Sequence, residues 1–231
     1  MLMKKNQKRL LLYVSGLFLL ALGASFSIMA NLGVSPVTSL AYSLHLTTHC
    51  TMGVATVATN VVFIVIQSVL NQRFDYRASA AQLLLSFVFG FFMDATLWLL
   101  ALLPPAHEWW QQTGYLLVSL WVISLGLIAY FTAKLPLMPY DALSFAIKNR
   151  FEWPFGRAKI SGDVINVVVA AALCWLVLHR WGAIGVGTFV AAIGIGKIMA
   201  LLMPKIQPPL LLWLRLNRHN KARLKQRQQL L

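Results

Sequence analysis

Six long apolar runs limit this chain to one class of fold. Each run is close to the roughly 20 residues that a helix needs to cross about 30 Å of hydrocarbon. Of the 231 residues, 59% are hydrophobic and 11% are charged, which is too little charge to cover a water-soluble domain of this size. We therefore predict an all-α, polytopic transmembrane bundle. The predicted spans are Leu10–Leu32, Met52–Leu70, Ala78–Leu103, Gly114–Ala133, Ile160–Leu178 and Ala183–Met203.

The chain also repeats itself with a spacing of about 103 residues. Two copies of one membrane unit are typical of secondary transporters. The repeat therefore indicates a class of activity rather than a particular substrate. Matching pairs include Leu22-Gly23 with Leu125-Gly126, Pro36 with Pro139, Gly53 with Gly156 and, after a shift of one residue, Phe87-Val88 with Phe189-Val190.

Each copy contains one element that is too short to span the membrane. Ser35–Leu46 and Met138–Arg150 would each form about 18 Å of helix. Pro36 and Pro139 suit a first helical turn, where no amide hydrogen bond is lost. We predict two re-entrant or broken half-helices and three spans per repeat, and an odd number of spans makes the repeats inverted. The alternative lets both short elements cross, giving eight spans and parallel repeats.

The net charge of +14 is explained by topology. Lys and Arg collect in short cytoplasmic loops; six spans place Arg73, Arg77 and Lys134 inside, whereas eight spans place them outside. We therefore expect cytoplasmic N- and C-termini. The predicted regions are a basic N-terminus (1–9), membrane repeat 1 (10–103), an external loop (104–113), membrane repeat 2 (114–204) and a basic cytoplasmic tail (205–231).

The basic tail is expected to contact the anionic headgroups of the lipid bilayer rather than nucleic acid. Pro208-Pro209 should end the last span, so that the tail begins close behind it. A homo-oligomeric assembly is left open by the sequence.

Two acidic residues are the main candidates for binding a substrate or a coupling ion. Asp94 stands in the middle of an apolar run, where a carboxyl group must face protein or water. Its alternative role is a structural hydrogen bond to a neighbouring helix. Asp141 follows Pro139 by two residues, so it either contacts a ligand or complements the dipole of the second short helix.

Four further polar residues complete the predicted substrate or ion site. Ser35 and Thr38 flank the start of the first short helix, where they either donate to a ligand or cap the helix. Asn60 and Asp163 are repeat equivalents, each a few residues inside its helix. Asp163 has a second interpretation, as an acid at the cytoplasmic start of a helix.

The sequence gives no indication of catalysis or of a cofactor. It contains no HExxH motif, no phosphate-binding loop and no pairing of a nucleophile with a base. Cys50 and Cys174 lie on different segments without the spacing of metal ligands. We therefore expect neither an enzyme nor a cofactor.

At the same positions the chain resembles the YitT/YczE-like family of bacterial membrane proteins. The resemblance covers most of the length and is carried by Leu32–Thr38, Pro139–Leu143, Phe155–Arg157, Ile184–Thr188 and Ile193–Gly196. Asp141 matches an acid of the family's glycine-proline-any-aspartate pattern, whereas Pro136, Leu137 and Met138 replace its small residues. The resemblance implies a multi-pass protein of the bacterial inner membrane.

Together these observations lead us to expect a secondary transporter of a small polar or anionic solute, with protons or sodium as candidate coupling ions. The alternative is a membrane scaffold or accessory protein that transports nothing. The two differ in their interiors, because a transporter should bring polar groups to the middle of the bundle whereas a scaffold should pack apolar side chains there.

Overall fold

The computed structural model describes residues 5–214, and this part of the chain forms eight α-helices. Six of them are long and apolar enough to cross a membrane, as in a multi-pass membrane protein. The other two have 13 residues each and correspond to the predicted short elements. The helices are α1 (Lys5–Met29), α2 (Pro36–Thr48), α3 (Met52–Leu70), α4 (Tyr76–Leu100), α5 (Trp109–Ala133), α6 (Pro139–Phe151), α7 (Phe155–Leu178) and α8 (Val186–Trp213).

The structure differs from the sequence-based prediction at both ends of the second half. Helix α5 begins at Trp109 rather than Gly114, because the Gln111 side chain accepts hydrogen bonds from the backbone N–H groups of His107 and Glu108 and starts the helix there. Helix α5 therefore includes residues 109–113 of the predicted external loop.

The prediction that Pro208-Pro209 ends the last span is wrong. Helix α8 continues past Pro204, Pro208 and Pro209 to Trp213. All three prolines are exposed, so no neighbouring helix has to pack against their rings. Leu214 is then fully buried in the main apolar core. The rest of the predicted tail, residues 215–231, lies outside the described residues.

Helices α1 and α5 form the antiparallel centre of the bundle. Near one end Arg9 donates from Nε to the carbonyl oxygen of Ala133 at 2.9 Å, and near the other the rings of Phe26 and Tyr115 are 6.0 Å apart. Between these points Gly16 lies against Gly126. A β-carbon on Gly16 would be 2.7 Å from the backbone nitrogen of Tyr130, so only glycine permits this approach.

Helix α4 runs parallel to α1 on one side of this centre. The Ser25 and Thr96 hydroxyl groups are 2.8 Å apart, and the rings of Phe18 and Phe92 meet edge to face. Helix α8 packs against α5 in the corresponding way. We call the end of the bundle that carries Arg9, Arg73, Arg77 and Lys148 the basic end.

The two short helices start inside the bundle and pack against the other half of the chain. Helix α2 begins beside Asn166, in the middle of α7, and α6 begins beside Phe63, in the middle of α3. Each also packs against the long helix that follows it. Helix α6 ends at the basic end, and α2 ends at the opposite end.

Candidate functional site

A polar cluster surrounds the start of α6. Tyr130 reaches it from α5 and accepts a hydrogen bond from the backbone N–H of Met138 at 2.6 Å, and its side chain lies beside Asp141. The Tyr130 hydroxyl group keeps its own hydrogen, which it can donate to Asp141. Asp141 is 8% exposed and lies in the first turn of α6, where a carboxylate complements the positive end of the helix.

A second tyrosine fixes the chain that leads into α6. The Tyr13 hydroxyl group of α1 donates to the carbonyl oxygen of Pro136 at 2.6 Å. Its ring lies 5.4 Å from the ring of Tyr130, and both side chains are almost fully buried. The non-helical backbone before α6 thus receives polar partners from α1 and α5, as buried irregular backbone requires.

A third tyrosine joins Asp163 to the same cluster. The Tyr140 hydroxyl group donates to Oδ1 of Asp163, and Lys159 forms an ion pair with that oxygen at 3.7 Å. The Lys159 ammonium group also lies 4.7 Å from the centre of the Tyr140 ring. Both Asp163 and Lys159 act electrostatically on Asp141. We call Tyr130, Tyr140, Asp141, Lys159 and Asp163 the α6 cluster.

This cluster brings ionisable groups together at the start of α6. It combines two carboxyl groups with a single ammonium group, so its net charge depends on whether Asp141 carries a proton. The Tyr140 hydroxyl group connects Asp163 to the first turn of α6, and Tyr130 connects the backbone of Met138 to α5.

The start of α2 carries hydroxyl and amide groups but no acid. The Ser35 and Thr38 hydroxyl groups are 3.0 Å apart, and Thr38 also donates to the Ser35 carbonyl oxygen at 3.2 Å. Asn166 donates from Nδ2 to the Pro36 carbonyl oxygen at 2.6 Å. Ser35 and Thr38 thus make local bonds, whereas Asn166 bonds the first turn of α2 to the second half of the chain.

Asn60 lies on the buried face of α3 and is 5% exposed. Its Nδ2 atom has no hydrogen-bond partner among the described residues. Buried amide groups without a partner are rare and call for an explanation. Asn60 is the repeat equivalent of Asp163, so the matching position in the other half belongs to the α6 cluster.

Asp94 lies apart from the α6 cluster and binds the start of α3. Its two carboxylate oxygens accept hydrogen bonds from the Gly53 backbone N–H at 2.7 Å and from the Thr51 hydroxyl group at 2.8 Å. This is the structural hydrogen bond that the sequence left as an alternative. A role for Asp94 in ion binding stays a prediction.

The sequence therefore located part of this site and missed part of it. It named Asp141 and Asp163 but not the three tyrosines and Lys159 that join them. Tyr13 and Tyr130 look like ordinary members of apolar runs, and only the packing of α1 on α5 shows what their hydroxyl groups reach. Tyr140 had one usable signal, because it follows Pro139 in the first turn of the short helix.

Two concave surfaces lie beside α3 and α4. A groove of about 340 Å³ between α3 and α4 is mostly apolar and has Asp94 among its lining residues. A second cavity of about 250 Å³ lies between α3, α4 and α6 and reaches Leu137 and Ala142, close to Asp141. We call this second cavity the polar cleft; its polar lining residues include Gln67, Asn71, Arg73, Asp75, Gln82 and Asn149.

Comparison with other proteins gives a relative but no function. The chain is 23% identical over 195 residues to the uncharacterised protein YyaS of Bacillus subtilis (strain 168), and the match covers 84% of this chain and 92% of YyaS. No solved structure matches it. A family model described as a family of unknown function, DUF6198, matches residues 7–204, and the chain therefore belongs to the DUF6198 family.

Proposed function

We propose that this protein is a secondary transporter that moves a small polar or anionic solute across the bacterial inner membrane. The observation that carries the proposal is that α2 and α6 begin inside the bundle, beside the middle of α7 and α3, with polar groups around both starts. Broken helices of this kind form the substrate and ion sites of many transporters. A scaffold has no need for a buried acid at such a place.

The packing of α1 on α5 supports two inverted repeats. These helices are repeat equivalents and run antiparallel, as two copies inserted in opposite orientation would. The contact between Gly16 and Gly126 becomes one between Ser119 and Gly23 when the repeat spacing is applied. In the structure a β-carbon on Gly23 would lie 3.2 Å from the carbonyl oxygen of Ser119.

The packing of the other helices supports the same arrangement. Helix α2 contacts α7 while its equivalent α6 contacts α3, and α1 contacts α4 while α5 contacts α8. Short helices that begin inside the bundle also favour six spans over eight. By the positive-inside rule the basic end is then cytoplasmic, together with both termini.

Within this proposal, Asp141 is the first candidate for coupling transport to protons or sodium, with Asp163 and Lys159 setting the charge around it. Asn60, Ser35 and Thr38 are candidates for contacting the solute. The resemblance to the YitT/YczE-like family belongs to the proposal as well. The contact of the basic tail with anionic lipid stays a prediction, since residues 215–231 lie outside the described part of the chain.

Reconstitution tests the proposal directly. The full chain is placed in liposomes that contain a trapped pH dye, and amino acids, small organic acids, sugars and inorganic anions are added outside one by one, with and without a sodium gradient. We expect at least one solute to enter in a saturable way. We expect Asp141→Asn to abolish its coupling to protons or sodium.

The control is Glu108→Gln, which changes an exposed carboxyl group at the start of α5, outside the α6 cluster and both cavities. This variant should transport like the wild type. If no solute enters and none raises the thermal stability of the purified protein, the scaffold alternative is correct.

A further inference from the structure

The two ends of the bundle differ at positions that the repeat makes equivalent. At the basic end, the polar cleft lies between α6 and the facing ends of α3 and α4. The equivalent place at the opposite end lies between α2 and the facing ends of α7 and α8. An apolar cluster fills that place.

Six of the thirteen residues that line the polar cleft have their repeat equivalents in the apolar cluster. The pairs are Leu137 with Val34, Phe145 with Tyr42, Asn149 with Leu46, Asn71 with Cys174, Asp75 with Leu178 and, after the shift of one residue, Gln82 with Ile184. We call Val34, Tyr42, Leu46, Cys174, Leu178 and Ile184 the apolar gate.

Backbone contacts seal the apolar gate but not the polar cleft. The Val34 N–H donates to the Ala183 carbonyl oxygen at 3.0 Å, and the Gly187 N–H donates to the Leu32 carbonyl oxygen at 2.7 Å. These bonds join the loop before α2 to the loop before α8. The equivalent loops at the basic end share no backbone hydrogen bond within the described part of the chain.

A second, independent difference also makes the basic end more open than the opposite end. Near the opposite end, α3 and α4 are held together by Asp94, which binds Thr51 and Gly53. Near the basic end the equivalents of Gly53 and Asp94 are Gly156 and Gly196, and neither would place a β-carbon within 4 Å of another part of the protein. Helices α7 and α8 make at most a marginal contact, whereas α3 and α4 pack closely.

We propose that the polar cleft is the access path of the solute and that the apolar gate is the same path in its closed form, so that the structure is the state open at the basic end. This inference rests on the proposed transport function. In the opposite state the cleft closes and the gate opens, because the two halves exchange conformations. The volume of about 250 Å³ and the amide lining suit a solute no larger than an amino acid or a small organic acid.

The native cysteines provide the test. Cys174 is fully buried in the apolar gate, and Cys50 is the other cysteine of the chain. In a Cys50→Ser chain, the reaction of Cys174 measures how accessible the apolar gate is. In a chain with Cys50→Ser, Cys174→Ala and Ser79→Cys, the reaction of the cysteine at position 79 measures how accessible the polar cleft is. Reaction with N-ethylmaleimide is measured in proteoliposomes, and unmodified thiols are counted after denaturation with a polymer-linked maleimide.

The decisive variants place apolar residues, like those of the apolar gate, in the polar cleft. Asn71→Leu together with Asn149→Leu should favour a closed cleft, and both positions are exposed, so folding should be kept. We expect these changes to slow the reaction of Ser79→Cys and to accelerate the reaction of the distant Cys174 about tenfold. Asn6→Leu, an exposed substitution at the same end outside the cleft, should change neither rate.

The reverse substitution is a second test. Leu46→Asn introduces into the apolar gate the residue type of its equivalent in the polar cleft, Asn149, and should slow the reaction of Ser79→Cys at the other end. The inference is overturned if Cys174 reacts as fast as Ser79→Cys in the otherwise unchanged chain, or if neither set of variants changes the rate at the distant end. Loss of this coupling in a protein that still takes up solute overturns the inference alone. Its loss together with absent uptake overturns the proposed function as well.

Discussion

Gly16 and Gly126 face each other across the centre of the bundle, and a β-carbon on either would lie within 3.0–3.1 Å of the carbonyl oxygen of the other. Such a distance is shorter than ordinary carbon–oxygen contact, and the neighbouring atoms are backbone that cannot rotate away. The crossing of α1 and α5 therefore depends on the absence of two side chains. Helices α4 and α8 pack directly against this pair, and α3 packs against α4.

Gly16→Ala should destabilise the protein through this crossing. The added methyl group would lie 2.7 Å from the backbone nitrogen of Tyr130, and overpacking of this kind costs about 1–3 kcal/mol. Thermal unfolding in detergent measures the loss. Gly196→Ala is the matched control, because its β-carbon would meet open space, and it should be neutral or slightly stabilising. Equal melting temperatures for the two variants would contradict this account of the crossing.

Tyr130→Phe should weaken the start of α6. It removes the acceptor for the Met138 N–H, which leaves a buried backbone donor unpaired at a cost of about 1–3 kcal/mol. We expect a lower melting temperature and altered coupling of transport to pH. Tyr115→Phe removes a hydroxyl group whose bond to Pro104 is exposed, and it should have little effect on either quantity.

Asp94→Ala should loosen the start of α3 because Thr51 and Gly53 both lose their acceptor. We expect a loss of about 1–3 kcal/mol in thermal stability. Asp94→Asn should lose less, since an amide oxygen still accepts from the Gly53 N–H but an amide nitrogen accepts nothing from Thr51. If Asp94→Asn keeps its stability but changes the ion dependence of uptake, Asp94 binds the coupling ion, as the sequence had suggested.

Labelling of single cysteines should place Arg73→Cys in the cytoplasm and Pro105→Cys outside, in a chain without Cys50 and Cys174. The reason is the collection of Lys and Arg at the basic end. An impermeant maleimide applied to intact cells should therefore label Pro105→Cys and spare Arg73→Cys until the cells are opened. Labelling of Arg73→Cys from outside would contradict the six-span topology and the inverted orientation of the two repeats.

The long helices were predictable because one property, apolar length, decides them in a bilayer. Helix α3 has the predicted bounds, Met52–Leu70. The prolines of the two short helices behaved as expected, since each stands in a first turn. The same residue type misled at Pro208-Pro209, where α8 continues to Trp213, because proline weakens a helix without always ending it and the local pattern does not show which occurs.

The partners of the site residues were less predictable than their positions. Asp94 and Asp141 look alike in the sequence, as single acids in apolar surroundings. The first binds a helix start in its own half, and the second meets Tyr130. Likewise Asn166 contacts Pro36 across 130 residues. Contacts of this kind depend on how helices cross, which local patterns do not encode.

The packing of each short helix against the opposite half has a consequence for biogenesis. Pro36 leaves the ribosome 130 residues before Asn166, which is on the order of ten seconds of synthesis. During that time α2 is too short to be inserted as a span and has no α7 to receive its polar starting turn. A newly made N-terminal half must therefore be shielded by the translocon or an insertase until translation is nearly complete, and truncated chains that end before α7 should be targets for membrane proteases.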